Sequence, residues 1–365
     1  MSSQPLVSVV IPAFNAAETL ADTLGSALAS TYERIEIIVV DDGSTDRTFD
    51  VARQFALAEP RIRLHRQRNE GLSAALNAGF QLATGDFIAR LDADDIWHPT
   101  KLEKQIALAR QIPDAAFIYT FVRYIDGAGR VLGDGPEQRF PSRSLCRGLC
   151  ESLVGGGSSA LMRREAVEAA GFCDPALGAW EDLLMQLRIS RRHGIAFVPE
   201  YLVGYRINRA SMSADTSRML SIWRSLRRQL KREFPEVSAK VHRWAHASRC
   251  AVFGEQFAWR GAYAKSVGVL AEAFAYDPIW TSRLLAFRIA RKLTRAGRRN
   301  NQKNPLFLLC DPAKRLSAVE PAATFSFLKK ERGAALQIID ERLARLGVGR
   351  DAGEFAAHDR TLHAP

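Results

Sequence analysis

Within residues 7–91, four short apolar runs alternate with segments of helical length, and this order restricts the fold more than any other feature of the chain. Val7-Ser8-Val9-Val10-Ile11 ends at Pro12, and Ile35-Glu36-Ile37-Ile38-Val39-Val40 ends at Asp41-Asp42-Gly43-Ser44. Ile62-Arg63-Leu64-His65 is shorter, and Phe87-Ile88-Ala89-Arg90-Leu91 runs into Asp92. Apolar, β-branched runs of this length predict strands. Helices are predicted between them: from Asn15, as a cap, to about residue 30, then over 46–57 and 73–83. A β-α-β-α-β-α-β order implies a largely parallel sheet covered by helices. In such sheets ligands gather beyond the carboxyl ends of the strands. The polar clusters of this sequence fall there: residues 12–15, 41–44, 69–71 and 92–95.

A second segment, about 113–205, adds predicted strands over 116–121 and 195–199, a glycine run and helical pieces. Beyond residue 215 the pattern turns to long, basic, amphipathic helices. Residues 244–277 read as one helical hairpin stopped by Pro278, and a single pair is no repeat array. Residues 300–305 read as a linker and 324–346 as a last helix before a frayed end. The division expected is a catalytic domain over 1–215, a basic helical region over 216–300 and a helical tail over 301–365.

Charge follows that division. Residues 1–215 hold 23 Lys+Arg against 27 Asp+Glu, whereas 216–300 hold 18 against 5, and the tail holds 10 against 8. The basic block suits an anionic partner. The five cysteines form no disulfide framework, and Cys146 with Cys150 lacks the further ligands a zinc site needs, so reduced thiols are expected. No basic region precedes the first apolar run, and no stretch approaches the roughly 20 apolar residues of a membrane span, so neither a leader nor a transmembrane helix is expected.

Four clusters offer chemistry, each with a plainer reading beside it. Asp92-Ala93-Asp94-Asp95 supplies three carboxylates directly after a strand; it suits a divalent cation on a leaving diphosphate, or equally a solvated turn. Asp41-Asp42 can accept from a base N–H or a ribose hydroxyl, or cap the next helix. Asn69-Glu70-Gly71 reads as a turn. Glu181-Asp182 can act as a general base, or complement a helix dipole. The run Gly155-Gly156-Gly157-Ser158-Ser159 lacks the Gly-Lys-Ser/Thr of a phosphate loop, and no dinucleotide-binding glycine pattern follows the first strand.

In order and spacing, residues 7–15, Val39-Val40-Asp41-Asp42-Gly43-Ser44-Thr45-Asp46, Asn69-Glu70-Gly71, Leu91-Asp92-Ala93-Asp94-Asp95 and Glu181-Asp182 together resemble the family 2 glycosyltransferases. Residues 157–174 resemble that family's acceptor-side segment, and the likeness covers about residues 6–213. It implies an α/β fold of the GT-A type: a mixed, mostly parallel nucleotide-binding sheet flanked by helices, followed here by a mostly α-helical region. It implies an inverting transferase that uses Mg²⁺ or Mn²⁺ and a nucleoside-diphosphate sugar. By position, Pro12, Ala13, Asn15, Asp41, Asp42, Asn69 and Gly71 would lie at the nucleotide sugar. Asp92 would touch the ribose or the diphosphate. Asp94 would be the main metal ligand and Asp95 the next. Asp182 would be the general base, with Glu181 orienting it or binding acceptor. Tyr205-Arg206-Ile207-Asn208 resembles a segment that often carries His where Asn208 stands, which leaves Arg206 or Arg209 to supply charge to the diphosphate.

In residues 281–299, Leu285, Ala286, Ile289, Ala290 and Leu293 fall on one helical face and Arg288, Arg291, Lys292, Arg295 and Arg299 on the other. Such a helix can lie on an anionic membrane surface, or dock on the catalytic domain with its basic face in water. A saccharide or lipid-linked acceptor in bacterial cell-surface assembly is the expected partner. The expected location is the cytoplasm, with the inner face of the membrane in reach. No nucleic-acid module is present, so nucleic acid is not an expected partner. The competing reading is a non-catalytic nucleotide-sugar-binding or assembly subunit that acts through its basic helices.

Overall fold

The computed structural model describes residues 4–135, 137, 145–150, 156–207, 215–279 and 281–282. The first three strands and helices alternate: β1 (Val7–Ala13), α1 (Leu20–Leu28), β2 (Ile35–Asp42), α2 (Thr48–Ala58), β3 (Ile62–Gln67) and α3 (Leu72–Leu82). Then come β4 (Phe87–Arg90), β5 (Ile96–Trp97), α4 (Lys101–Gln111), β6 (Ala115–Ile125), β7 (Val131–Asp134) and α5 (Leu145–Cys150). A 3₁₀ turn (Gly157–Ser159), β8 (Leu161–Arg163), α6 (Arg164–Ala169), α7 (Glu181–Ser190) and β9 (Gly194–Arg206) complete the sheet region. The helices α8 (Thr216–Glu233), α9 (Ala239–Trp259) and α10 (Tyr263–Tyr276) follow.

The strand order is β3-β2-β1-β4-β8-β6-β9-β5, with β7 on the side of β6. From β3 to β4 all neighbours are parallel, and β6 pairs parallel with β9. Strand β8 is antiparallel to both β4 and β6 and joins the two halves. Every residue of β1 is buried, which is why it reads as an unbroken apolar run. Its side chains divide between two cores. Val7, Val9 and Ile11 pack with α1, α2 and α4 through Leu20, Leu24, Ala52, Leu102 and Ile106. Val10, with Ile38 and Val40 of β2, packs with α3, α6 and α7 through Leu76, Phe80, Val167, Met185 and Ile189.

A third core lies between α5, α7 and the helices after residue 215, built on Leu183, Leu184, Leu187, Leu220, Trp223, Leu226 and Trp244. The expected hairpin is present, turning at Gly261 with φ +74°. Its interior carries a polar relay: Trp223 Nε1–H donates to His246 Nδ1 at 3.1 Å, and His246 Nε2 lies 2.9 Å from Glu272, which also pairs with Arg224. Cys250 completes a buried trio with His246 and Glu272. The trio does not suit a metal: with Nδ1 accepting, the Nε2 proton goes to Glu272, and a cation on Nε2 would displace it and set Nδ1–H against the indole N–H.

Two expectations need correction or bounds. Asn15 does not cap a helix: α1 starts at Leu20, and Asn15 sits at φ +49° in the loop before it. The basic segment past residue 282, the tail helix, Gly155, Asn208 and Arg209 lie outside the described residues.

Candidate active site

The sheet gathers the polar clusters at one edge. Ala13, the last residue of β1, pairs in register with Asp41, so the loops after β1 and β2 meet. They are laced together: Asn15 N–H donates to Ser44 Oγ at 3.0 Å and Thr45 N–H to Asn15 Oδ1 at 2.9 Å. Ala16 N–H donates to Thr48 Oγ1 at 2.7 Å. Pro12 and Ala13 are buried, while Phe14 is 47% exposed at the mouth.

Asp42 is buried and turned into the next loop. Its Oδ1 accepts from Gln67 Nε2 at 2.9 Å and Glu70 N–H at 3.0 Å, and its Oδ2 from Gly71 N–H at 2.9 Å. It thereby shapes the turn through Asn69, and Gly71 at φ +89° supplies the backbone that turn requires. Asp41 Oδ1 accepts from Ser44 N–H at 3.3 Å, and Arg66 Nε lies 3.0 Å from its Oδ2.

The acidic loop after β4 is braced on every side. Thr19 hydroxyl donates to Ala93 O at 2.8 Å, and Thr23 hydroxyl lies 2.8 Å from Asp95 O. Asp95 is 1% exposed; its Oδ2 accepts from Ser158 Oγ at 2.6 Å and its Oδ1 from Arg206 N–H at 2.9 Å. Ser158 Oγ also accepts Asp92 N–H at 3.0 Å. The turn bearing Ser158 is fixed in turn, since Trp97 Nε1–H donates to Ser158 O at 2.8 Å and Gln105 Nε2–H to Ser159 O at 3.0 Å. Arg206, expected with Arg209 to supply charge, is committed to the backbone of these loops. It is 3% exposed and donates to the carbonyls of Asp94 at 2.7 Å and Asp126 at 3.0 Å.

Asp94 is the least committed. Among the described residues only its own N–H reaches its carboxylate, and burial followed by the charge of Asp92 pushes it up to about 6. A divalent cation removes that electrostatic deficit, so the residues fit one: Asp94 offers hard oxygens, and Asp92, whose own oxygens accept from Arg90, adds negative charge beside it.

Across from this loop stands Asp182 at the start of α7. Its Oδ1 accepts Leu183 N–H at 2.7 Å, and burial followed by the charge of Glu181 pushes its carboxyl up to about 6, against the pull of Arg90. Arg90 links the two sides. It is 7% exposed, donates from Nε to Asp92 Oδ1 at 2.6 Å and from NH2 to Asp92 Oδ2 at 3.1 Å, and from NH1 to Glu181 Oε1 at 2.8 Å. Gly157 packs against this guanidinium so closely that a Cβ there would sit 2.3 Å from Nε, which accounts for the glycine. Sequence reasoning missed Arg90; the one sign was a charge inside an otherwise apolar strand.

Arg90 gives a stability prediction. Arg90→Met leaves the buried Glu181 and the half-buried Asp92 without their cation, and the expected loss is about 3–5 kcal/mol in denaturant unfolding. A loss under about 1 kcal/mol would mean that the clamp is not what holds Asp92 and Glu181 together.

A four-strand parallel half, an antiparallel joint and an acidic loop at the strand ends make up a glycosyltransferase-like architecture, and comparison with known proteins agrees. The chain belongs to glycosyl transferase family 2, whose profile matches residues 8–171. It is 33% identical over 223 residues to an uncharacterized glycosyltransferase of Nostoc sp., covering 58% of this chain and 68% of that one. It is 35% identical over 139 residues to chondroitin synthase of Escherichia coli, covering 38% of this chain and 20% of that one. The mannosyltransferase PcManGT of Pyrobaculum calidifontis, solved in complex with GDP-Man and Mn²⁺, superposes with a TM-score of 0.55 at 19% identity, over 80% of this chain and 81% of that one. The fold is therefore GT-A, with a helical C-terminal region.

Proposed function

We propose that the protein is an inverting glycosyltransferase that moves a sugar from a nucleoside-diphosphate donor to an acceptor hydroxyl, with help from a divalent cation. The observation that carries the reading is the pairing of Asp94, free on a rigid loop, with Asp182 across the Arg90 clamp. Mg²⁺ or Mn²⁺, held by Asp94 beside Asp92, would supply positive charge to the departing diphosphate. PcManGT's complex with GDP-Man and Mn²⁺ supports that chemistry by analogy of fold. Asp95 we assign to bracing the loop, because both of its oxygens already accept from Ser158 and Arg206. The loops through Pro12, Ala13, Asn15 and Asp41 would hold the nucleoside, with Asp42 acting through the turn at Asn69 and Gly71.

In the reaction, Asp182 takes the proton of the acceptor hydroxyl as its oxygen bonds to the anomeric carbon. The bond from that carbon to the diphosphate oxygen breaks on the opposite face, which inverts the centre. Glu181, fixed by Arg90, keeps the base on the acceptor side. The catalytic unit is taken as residues 1–215, with 216–300 as the helical region and 301–365 as the tail.

A saccharide or lipid-linked acceptor at an anionic membrane surface fits the helical region. Tyr263, Val267 and Phe274 of α10 are exposed, with Trp259 and Ile279 alongside, and apolar side chains clustered in this way mark contact surfaces. Among the described residues no helix is long and apolar enough to cross a membrane. The likeness to chondroitin synthase favours a polysaccharide product.

The test is a panel of UDP-, GDP- and dTDP-sugars incubated with the protein and Mn²⁺ or Mg²⁺. We expect metal-dependent release of nucleoside diphosphate from one donor and an inverted anomeric signal in the product by NMR. Retained configuration would overturn the mechanism. Absence of both release and calorimetric binding across the panel would overturn the donor assignment.

A further inference from the structure

The helix that carries the catalytic pair is held from two directions. Met185 and Ile189 of α7 pack on the sheet, while Leu183, Leu184 and Leu187 pack into the helical core. The residue two before Asp182 makes its ring contacts on the helical side. Trp180 is the N-cap residue of α7, and its carbonyl accepts Leu184 N–H at 3.1 Å. Its backbone is left-handed, with φ +69° and ψ +16°, a conformation that is unfavourable for a residue with a Cβ. Such a residue persists only where its surroundings over-determine it.

Here the surroundings are α8 and α9. The Trp180 ring centroid lies 5.8 Å from that of Trp223 and 6.3 Å from that of Phe253, the latter edge-on at 86°. The Arg249 guanidinium carbon sits 5.1 Å from the Trp180 ring centroid and 5.5 Å from that of Trp223. All three partners are buried. The Trp180 indole N–H is buried without a hydrogen-bond partner, so tilted and edge-on ring contacts and the cation, not a hydrogen bond, hold the ring. The loop leading to it is pinned as well: Asn77 exchanges two 2.8 Å hydrogen bonds with the backbone of Cys173, and Gln229 of α8 donates to Asp174 at 3.1 Å.

We propose that the helical region acts as a clamp on the catalytic pair, with Trp180 as the positioning residue through which Trp223, Phe253 and Arg249 hold Glu181 and Asp182 in register with Arg90. The proposal rests on the reading of Asp182 as base. It gives the helices a part in turnover that is separate from any surface or acceptor they bind, because Trp180, Trp223 and Phe253 belong to the helical core.

The test compares Trp180→Ala, Trp180→Phe, Arg249→Met and Asp182→Asn, using the donor found in the panel and UDP or GDP with Mn²⁺ as binding probe. Trp180→Ala is expected to lower kcat at least about tenfold, since a small misplacement of a reacting group is enough for that. Donor KM and nucleotide affinity stay within about twofold, and amides of residues 181–184 exchange faster while those of β1 and β2 do not. Trp180→Phe keeps an aromatic ring against Trp223 and Phe253 and sheds the orphaned N–H, so it restores near-native turnover. Arg249→Met falls between the two. Native turnover in Trp180→Ala overturns the clamp, and so does an equal loss of nucleotide affinity, which would mean general damage. Asp182→Asn separates the two readings: if it keeps turnover the base assignment fails, whereas the exchange result reports the clamp regardless.

Discussion

Asp182→Asn lowers turnover by about a thousandfold and leaves Mn²⁺-dependent nucleotide binding unchanged; that is the largest effect expected of any single substitution here. The reason is that the amide cannot take a proton, while its oxygen can still accept Leu183 N–H, so the start of α7 keeps its geometry. The pH dependence follows from the same environment. Burial and the Glu181 charge raise the Asp182 carboxyl to about 6, so the base form is lost as pH falls through that value. Native turnover then drops tenfold per unit below it, and the residual activity of the variant lacks this limb. The stability effect has the opposite sign. A carboxyl whose pKa is raised by folding destabilises the fold above that pKa, and the penalty is relieved as pH falls through it. At pH 7 the Asn variant is therefore at least as stable as the native protein, by up to about 2 kcal/mol. Turnover, nucleotide affinity and thermal unfolding measured on one preparation check all three. A variant that is less stable yet fully active would remove Asp182 from the mechanism.

Much of this site was legible in the sequence because its frame is local. The strands β1, β2 and β4 are runs of buried apolar residues, and each ends in a polar cluster a few residues later, so period and punctuation located the site's edge. The interior of the site was not legible, because its partners are remote along the chain. Arg90 meets Glu181 across 91 residues, and Asp95 meets Arg206 across 111. No spacing rule announces either pair. Strand β8 has three residues and no turn signal of its own, yet it joins the two halves of the sheet through β4 and β6. Asn15 illustrates the other limit. A polar residue before an apolar run reads as a cap, but Ser44 and Thr45 of the neighbouring loop compete for it and win. Arg206 reads in the sequence as an uncommitted charge, and carbonyl groups that only the folded loops bring together engage it.

The pair Asp94 and Asp95 turns that distinction into a measurement, since adjacent carboxylates of one loop are expected to fail in different ways. Asp94 accepts nothing from its described neighbours, and Asp95 accepts from Ser158 and Arg206. Asp94→Asn should therefore fold as well as the native protein and lose turnover by about two to three powers of ten, because the charge that holds a cation at the departing diphosphate is gone. The gain in UDP or GDP affinity that Mn²⁺ confers on the native protein should vanish with it. Asp95→Ala should instead lose stability first, by about 1–3 kcal/mol, because Ser158 Oγ and the Arg206 amide are left buried without their acceptor. Its Mn²⁺-dependent gain should persist in the fraction that remains folded. Calorimetry with and without Mn²⁺, beside denaturant unfolding, reads both quantities. If Asp95→Ala abolished the Mn²⁺ effect while Asp94→Asn kept it, the roles assigned to the two carboxylates would have to be exchanged, and the bracing of the loop by Ser158 and Arg206 would no longer explain why a cation is held where the diphosphate departs.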